Sequence, residues 1–451
     1  MFSPIATDNR RAGSSTSFVT KARSSETSVR ILYNLLTYLL LIPFGCYWIV
    51  RGIGNRSYLD RLGQRFGLSF PHIGGCIWIH AVSVGEVQAT VPLIHALAKR
   101  FPEQQLLITT VTPTGAARVR ALFGDSVQHC YIPFEFPHAV RRFFATVNPE
   151  AALIMETEIW PNLYRACGVR KIPLVLVSAR ISPKSVPGYR RLLPLIRETL
   201  SHGIIIAAQS QADADRFLAL GASSRRTWVT GNIKFDVDLN PEVTGQGKQL
   251  RHELFGERPV WIAASTHDGE EQQVLDAHRS LLEKHPDLLL ILVPRHPERF
   301  AGVRNLIKNR DFSVVSRTDQ SPCDPSTNVF LVDTMGEVPL FYATSDIAFV
   351  GGSLVPVGVH NLLEPAAQGL PIIFGPHVFN LQDIADMFVE LGACSVVEDA
   401  SDLAATIAGL IADPDEAARL GQNGLDLLEK NRGALQRLLV LLEPLLGDVR
   451  T

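Results

Sequence analysis

The chain has 451 residues, 46% hydrophobic and 20% charged, with a formal net charge of −2 at pH 7. This is a globular composition, long enough for two domains with additions. The near-neutral balance argues against a nucleic-acid binder, which works through a basic surface. The six cysteines lie far apart with no C-x-x-C, so they read as reduced thiols and not as a disulfide framework or a metal site.

Residues 1–29 are rich in Ser, Thr and Arg, lack apolar periodicity, and read as a disordered leader. Their Arg/Ser bias is that of a transit peptide, but Asp8 and Glu26 argue against one. Residues 31–50 form a mostly apolar run interrupted by Asn34, Thr37 and Pro43, close to the roughly 20 residues that cross a bilayer. Arg30 precedes the run, and Arg51, Arg56, Arg61 and Arg65 follow it. That asymmetry makes 30–53 a membrane anchor with the following domain in the cytoplasm. The alternative is a hydrophobic helix packed on the soluble domain or lying in the interface.

From residue 76 onward, β-rich apolar runs alternate with amphipathic helical stretches, the pattern of a parallel α/β sheet. The strands expected first are 76–82, 105–111, 128–132, 151–155, 172–177, 203–208 and 227–230. The alternation stops at 236–258, which is polar, holds Pro241 and several glycines, and reads as a linker. It resumes with 260–264, 288–293, 328–332, 346–350, 370–374 and 394–397. The residues from 413 to 446 read as helix, with Leu and Ala recurring at a spacing of about 3.6. Two doubly wound, Rossmann-like domains facing a cleft are expected, over 54–235 and 259–428, with a terminal helical segment at 429–451.

Open parallel sheets bind ligands beyond the carboxyl ends of their strands. Those ends carry Ser83-Val84-Gly85-Glu86, Thr112-Pro113-Thr114-Gly115, Glu156-Thr157-Glu158, Ser178-Ala179-Arg180, Gln209-Ser210 and Gly231-Asn232-Ile233-Lys234 in the first half. The second half offers Ser265-Thr266-His267, Pro294-Arg295-His296 and the glycines of Val350-Gly351-Gly352-Ser353. Glu86 reads either as a first-turn acid complementing the helix dipole or as a general base raised toward working pH by burial. Of Glu156 and Glu158, one faces the cleft and the other is exposed or capping. Lys234 is a surface lysine or a reach to phosphate or carboxylate oxygens; Arg295 is a phosphate fork or a surface ion pair. His267 and His296 lack metal-ligand spacing, and Asp236-Val237-Asp238 reads as a chance match to the Asp-x-Asp of metal-dependent sugar transferases. The stretch His360-Asn361-Leu362-Leu363-Glu364-Pro365 follows a glycine turn and opens a short helix, a place for an anion, with Glu364 available to a ribose.

Ser83-Val84-Gly85-Glu86, Thr112-Pro113-Thr114-Gly115, Met155-Glu156-Thr157-Glu158-Ile159-Trp160-Pro161-Asn162, Gly231-Asn232-Ile233-Lys234-Phe235-Asp236, Pro294-Arg295-His296-Pro297-Glu298-Arg299, Asp333-Thr334-Met335-Gly336-Glu337 and His360-Asn361-Leu362-Leu363-Glu364-Pro365-Ala366 occur in one register. In that register the chain resembles the 3-deoxy-D-manno-octulosonic acid (Kdo) transferases of lipopolysaccharide assembly. The resemblance implies a GT-B fold, CMP-Kdo as donor, and a lipid A precursor (lipid IV-A) as acceptor. It also implies an inverting reaction without metal or other cofactor, at the cytoplasmic face of the inner membrane. Carried onto this sequence, it makes Glu86 the proton acceptor and Glu156 and Lys234 the transition-state stabilisers. Pro294, Arg295, Met335, Gly336, Glu337, Asn361, Leu362, Leu363 and Glu364 become the CMP site. The other readings are a GT-B sugar-nucleotide 2-epimerase, which would need neither the apolar N-terminus nor 83–86, and a membrane-tethered nucleotide-sugar binder without activity.

Overall fold

The computed structural model describes residues 16–237 and 241–447. The chain divides into unit 1, which spans residues up to Asp236 together with those from Arg432, and unit 2, Val237–Asn431. Unit 1 holds seven strands: β1 Cys76–His80, β2 Leu106–Thr110, β3 Gln128–Tyr131, β4 Pro149–Met155, β5 Leu174–Ala179, β6 Ile205–Ala208 and β7 Thr227–Val229. All pair in parallel, in the order β3-β2-β1-β4-β5-β6-β7. Unit 2 repeats the plan with β8 Val260–Thr266, β9 Leu289–Pro294, β10 Val314–Ser316, β11 Val329–Leu331, β12 Ile347–Val350, β13 Ile372–Phe374 and β14 Cys394–Val396. Its order is β10-β11-β9-β8-β12-β13-β14, again parallel. The chain therefore reverses its direction of winding between β1 and β4 in one unit and between β8 and β12 in the other. Both are topological switch points, where ligands bind in such sheets.

The strands read as continuous apolar runs because both faces of each sheet are covered. Cys76 and Trp78 of β1 pack into one core with Phe143 and Tyr164, while Ile77 and Ile79 pack into another with Leu93 and Leu438. In β8, Trp261 and Ala263 face one way and Val260, Ile262 and Ala264 the other. Every expected strand is present within a few residues of its expected bounds. The addition is β10, a three-residue edge strand too short to show a period.

Expectations at both chain ends and in the linker change. Residues 1–15 of the leader lie outside the described residues, but helix α1 already runs over Thr16–Leu39. No Gly or Pro interrupts the sequence between residues 16 and 42, so a helix nucleated in the apolar run extends back at little cost. The linker stretch contains a helix at Pro241–Leu254, tied to unit 2 by Arg251, whose guanidinium donates to both Asp346 oxygens at 2.7 and 2.9 Å. The last helix, Ala434–Gly447, returns to unit 1, where Asp236 caps it by accepting from the N–H groups of Gly433 and Leu435, each at 2.6 Å. Asp236 is thus a helix cap, and Asp238 lies outside the described residues.

The apolar run forms the end of α1 and a second helix, α2 (Leu41–Gly54), bent by 42°. Pro43 lacks the N–H that would continue α1, so the break falls just before it. Among the described residues no single helix is long and apolar enough to cross a membrane; this bent pair passes by length and composition together. One side of the pair is fastened to unit 1. The Arg30 guanidinium is buried against the Glu198 carboxylate, Tyr33 donates to Glu135 at 3.1 Å, and Asn162 donates to Asn34 at 2.9 Å. Trp48 is buried against Tyr58 and Phe134. The other side leaves Leu39, Ile42 and Ile53 between 73% and 78% exposed. Arg65, expected as part of a basic flank, is instead fully buried, its guanidinium stacked on Trp48 and Tyr131 and donating to the Val111 carbonyl at 2.6 Å.

Candidate active site

At the switch point of unit 1, β1 ends and the chain turns through Ser83 into the helix Val84–Ala89. Glu86 lies in its first turn and folds back, accepting the Val82 N–H at 2.8 Å and facing the Ser83 hydroxyl at 3.5 Å. Burial, with the charges of Glu156 and Glu158 adding to it, pushes the Glu86 carboxyl up to about 8, against the Val82 hydrogen bond and the pull of Lys234. A carboxyl in that range is matched to proton abstraction near neutral pH.

Glu156 follows β4 directly, in the left-handed region at φ 56°. Such a conformation costs about 1–3 kcal/mol and recurs at functional sites. It aims the side chain at two cations: Lys234 Nζ donates to Oε1 at 2.7 Å and Arg180 Nε to Oε2 at 3.0 Å. Burial would raise this carboxyl, but Lys234 and Arg180 more than offset it and hold Glu156 below its ordinary value. Lys234 is positioned by neighbouring strand ends. Asn232 accepts its N–H at 3.0 Å, Ser178 accepts the Ile233 N–H at 3.1 Å, and Gln209 donates to the Ser178 carbonyl at 3.0 Å. Glu158, expected to be exposed or capping if Glu156 faced inward, is neither. It accepts from the Trp160 indole at 2.7 Å, and burial raises its pKa. Thr112, by contrast, serves as an N-cap, accepting the Gly115 N–H at 3.0 Å.

In unit 2 the expected nucleotide residues gather along one edge of the sheet. Pro294 ends β9 and Arg295 follows it; Met335, Gly336 and Glu337 follow β11; Asn361, Leu362, Leu363 and Glu364 follow β12. Leu362 and Leu363 are buried, so what they offer a ligand is backbone. Asn361 accepts the Leu363 N–H and donates to Glu364, both at 3.0 Å. Burial raises the Glu364 carboxyl, with Asn361 and Arg295 opposing. Glu337 is engaged by Arg317 at 3.0 Å and by the Thr334 hydroxyl, which leaves it little freedom for a ligand. The helix Leu363–Ala367 is five residues long, so it supplies little dipole, and an anion has to find its charge partner elsewhere on this edge.

That edge is braced by Glu270, a residue no sequence motif singled out. It is fully buried and accepts four backbone N–H groups: His267 and Gly352 at 3.1 and 2.8 Å, Ser353 and Leu354 at 3.1 and 3.0 Å. The double glycine after β12 exists for this brace. A Cβ on Gly351 would stand 2.7 Å from the Ser265 carbonyl and 2.8 Å from the Glu270 carboxylate, and Gly352 has φ +77°. Among the described residues, no group of three or more His, Cys, Asp or Glu is placed to hold a metal. A depression of about 680 Å³ beside Asn148, Arg170 and Lys171 lies at the amino ends of β4 and β5, the edge away from Glu86.

Residues 60–237 match the family described as 3-deoxy-D-manno-octulosonic-acid transferase (kdotransferase), and residues 257–426 match glycosyl transferases group 1. The chain is 42% identical to the 3-deoxy-D-manno-octulosonic acid transferase of Haemophilus influenzae over 92% of its own length and 99% of that relative. The chain belongs to the Kdo transferase family. It is a glycosyltransferase with two parallel-sheet α/β units, as in the GT-B fold. The solved C-terminal CMP-Kdo binding domain of WaaA from Acinetobacter baumannii is 37% identical, covering 42% of this chain and 99% of that domain, at a TM-score of 0.41. A UDP-GlcNAc 2-epimerase from Neisseria meningitidis, 15% identical, covers 81% of this chain and 99% of its own, at a TM-score of 0.51, and shares the fold alone.

For this Kdo transferase, the structure brings Glu86, Glu156 and Lys234 within electrostatic reach of one another. It also adds Arg180 to them. Arg180 was visible in the sequence only as the end of a strand; its role depends on Glu156 being turned toward it by a left-handed backbone, for which the sequence carries no local signal.

Proposed function

We propose that this chain transfers Kdo from CMP-Kdo to a lipid A precursor, lipid IV-A, with inversion, in lipopolysaccharide biosynthesis. The observation that carries this reading, beside the family, is Glu86 at the unit 1 switch point with the Glu156–Lys234–Arg180 cluster beside it. The acceptor sugar hydroxyl gives its proton to Glu86 as its oxygen bonds to the anomeric carbon. The bond from that carbon to the phosphate oxygen breaks, and CMP leaves with the electron pair. Glu156, kept ionised by its two cations, is a fixed negative charge for the cationic sugar ring of the transition state. Lys234 keeps that charge in place and limits the rise of the Glu86 pKa. Pro294 and Arg295 with residues 335–337 and 361–364 bind CMP in unit 2, Glu337 through its backbone because Arg317 and Thr334 hold its carboxylate.

The proposed site of action is the cytoplasmic face of the inner membrane. The exposed apolar side of α1 and α2, with Arg51 and Arg56 at its end, supports this. Such a surface lies on a bilayer more readily than it spans one. Incubation with CMP-Kdo and lipid IV-A, with products weighed by mass spectrometry, tests the reaction and counts the Kdo residues added. An unmodified acceptor would overturn the proposal.

A further inference from the structure

The unit 2 switch point holds a pair of histidines that no role above absorbs. His267 follows β8 and His360 precedes Asn361 in the loop after β12, so each stands on one side of the reversal. Their Nε2 atoms are 2.7 Å apart, with ring planes within 2° and centroids 5.0 Å apart. Those values place the rings edge to edge in nearly one plane. This is the geometry of a single N–H···N bond, in which one ring donates and the other accepts. His296 stands edge-on to His267, with centroids 5.3 Å apart.

The charges around the pair are one-sided. Arg295 faces both rings and Arg299 faces His267 as positive groups, while the exposed Glu298 carboxylate lies against His296, 3.9 Å away, and not against the pair. Arg299 is taken up by Glu271 and Asp268, whereas among the described residues no hydrogen bond or ion pair engages the Arg295 guanidinium. The nearby carboxylates are committed: Glu270 to four backbone N–H groups, Glu271 to Arg299, Glu364 to Asn361. Burial first, and these positive neighbours second, hold both histidines neutral, His267 at about 4 and His360 at about 3. An anion placed here would reverse that balance. It would favour imidazolium, and a second proton on the pair would break the N–H···N bond and free a ring N–H to donate to the anion.

We infer that the His267–His360 pair is a binding element for an anionic group of the donor, the phosphate or the sugar-acid carboxylate, and that it takes up a proton when that group binds. The inference rests on the reading of unit 2 as the CMP-sugar side. Binding should then tighten as pH falls, by up to about tenfold per pH unit for one proton taken up.

The test is calorimetric titration of the full chain between pH 6 and 8, in buffers of different ionisation heat, with CMP in one arm and free Kdo in the other. Uptake with CMP assigns the pair to phosphate, and uptake with Kdo assigns it to carboxylate. His267→Asn and His360→Asn should still bind but lose the uptake seen in the wild type. CMP's own phosphate exchanges its proton in wild type and variants alike, so the difference belongs to the histidines. His252→Asn, at an exposed histidine of the same unit, should leave the uptake unchanged. Should the variants fold poorly, 15N spectra of the wild-type histidines with and without CMP read the same event, as conversion of one ring of the pair to imidazolium. CMP and Kdo binding with equal proton exchange in wild type and variants, or unchanged imidazole signals, would overturn the inference and leave the donor site standing. Failure of the wild type to bind CMP at all would overturn both.

Discussion

As the proposed base, Glu86 has to lose a proton to act, and its carboxyl is pushed up to about 8 by burial and by two neighbouring acids. The fraction ready to act as base therefore falls as pH drops below about 8, and kcat at saturating donor should rise with pH to a plateau above it. Measured pH–rate profiles check this, and a limb near the ordinary carboxylate value would remove Glu86 from the role. Glu86→Gln should abolish transfer while CMP binding persists. Lys234→Ala removes the ion pair that offsets burial at Glu156 and should lower kcat by roughly 10²- to 10³-fold, the range seen when one preorganised electrostatic partner is lost. Arg295→Ala should act mainly on KM for CMP-Kdo. The expected rise is roughly ten- to a hundredfold, from the loss of a charge-assisted hydrogen bond worth about 1.5–3 kcal/mol. Steady-state kinetics with varied donor separate the two classes; an unchanged KM would move Arg295 out of the site.

At the scale of elements, two segments do more than their sequences announce. The turn after β12 keeps its shape through Glu270, on the neighbouring helix Glu270–Leu282. Glu270→Ala would leave four N–H groups without their acceptor, and each buried group left unsatisfied costs roughly 1–3 kcal/mol. A clear fall in Tm and loss of CMP affinity are expected together; retained stability would mean water replaces the carboxylate. Residues 30–53 were expected to form a separable anchor, yet Arg30, Tyr33, Asn34 and Trp48 fasten α1 and α2 to unit 1. Deleting residues 1–50 should therefore lower the Tm of the remaining protein, because Glu198 and Glu135 lose partners in buried places. Replacing the exposed Leu35, Leu39 and Ile42 by Ser should instead spare the Tm and reduce flotation with anionic vesicles. Equal effects of the two changes on flotation and Tm would sink this division of the segment into a pinned and an exposed apolar side.

At the scale of the molecule, the chain visits unit 1 twice. Removing residues 432–451 should destabilise unit 1, not unit 2, because Ala434, Leu438 and Leu442 pack in the core beneath β1 and β4, and Asp236 would lose the helix it caps. Hydrogen exchange read separately over the two sheets checks this. Faster exchange confined to β8–β14 would contradict it.

The repeating apolar runs determined two parallel sheets with helical crossovers, because a strand buried on both faces must be apolar throughout. The polar residues closing those runs determined which side chains stand at the ligand edge, since parallel strands bring all their carboxyl ends to the same side. Glu86, Glu156, Lys234 and Arg295 were legible on that ground. Tertiary structure decided what each one meets. Glu156 turns to Lys234 and Arg180 through a left-handed backbone, Glu270 reaches a loop 82 to 84 residues away, and His267 meets His360 across the sheet reversal. Arg65 passed from basic flank to buried core, and the apolar run from anchor to a helix pair with one side fastened. These depend on contacts between distant segments, where a residue's partner is set by topology and not by its neighbours in the chain.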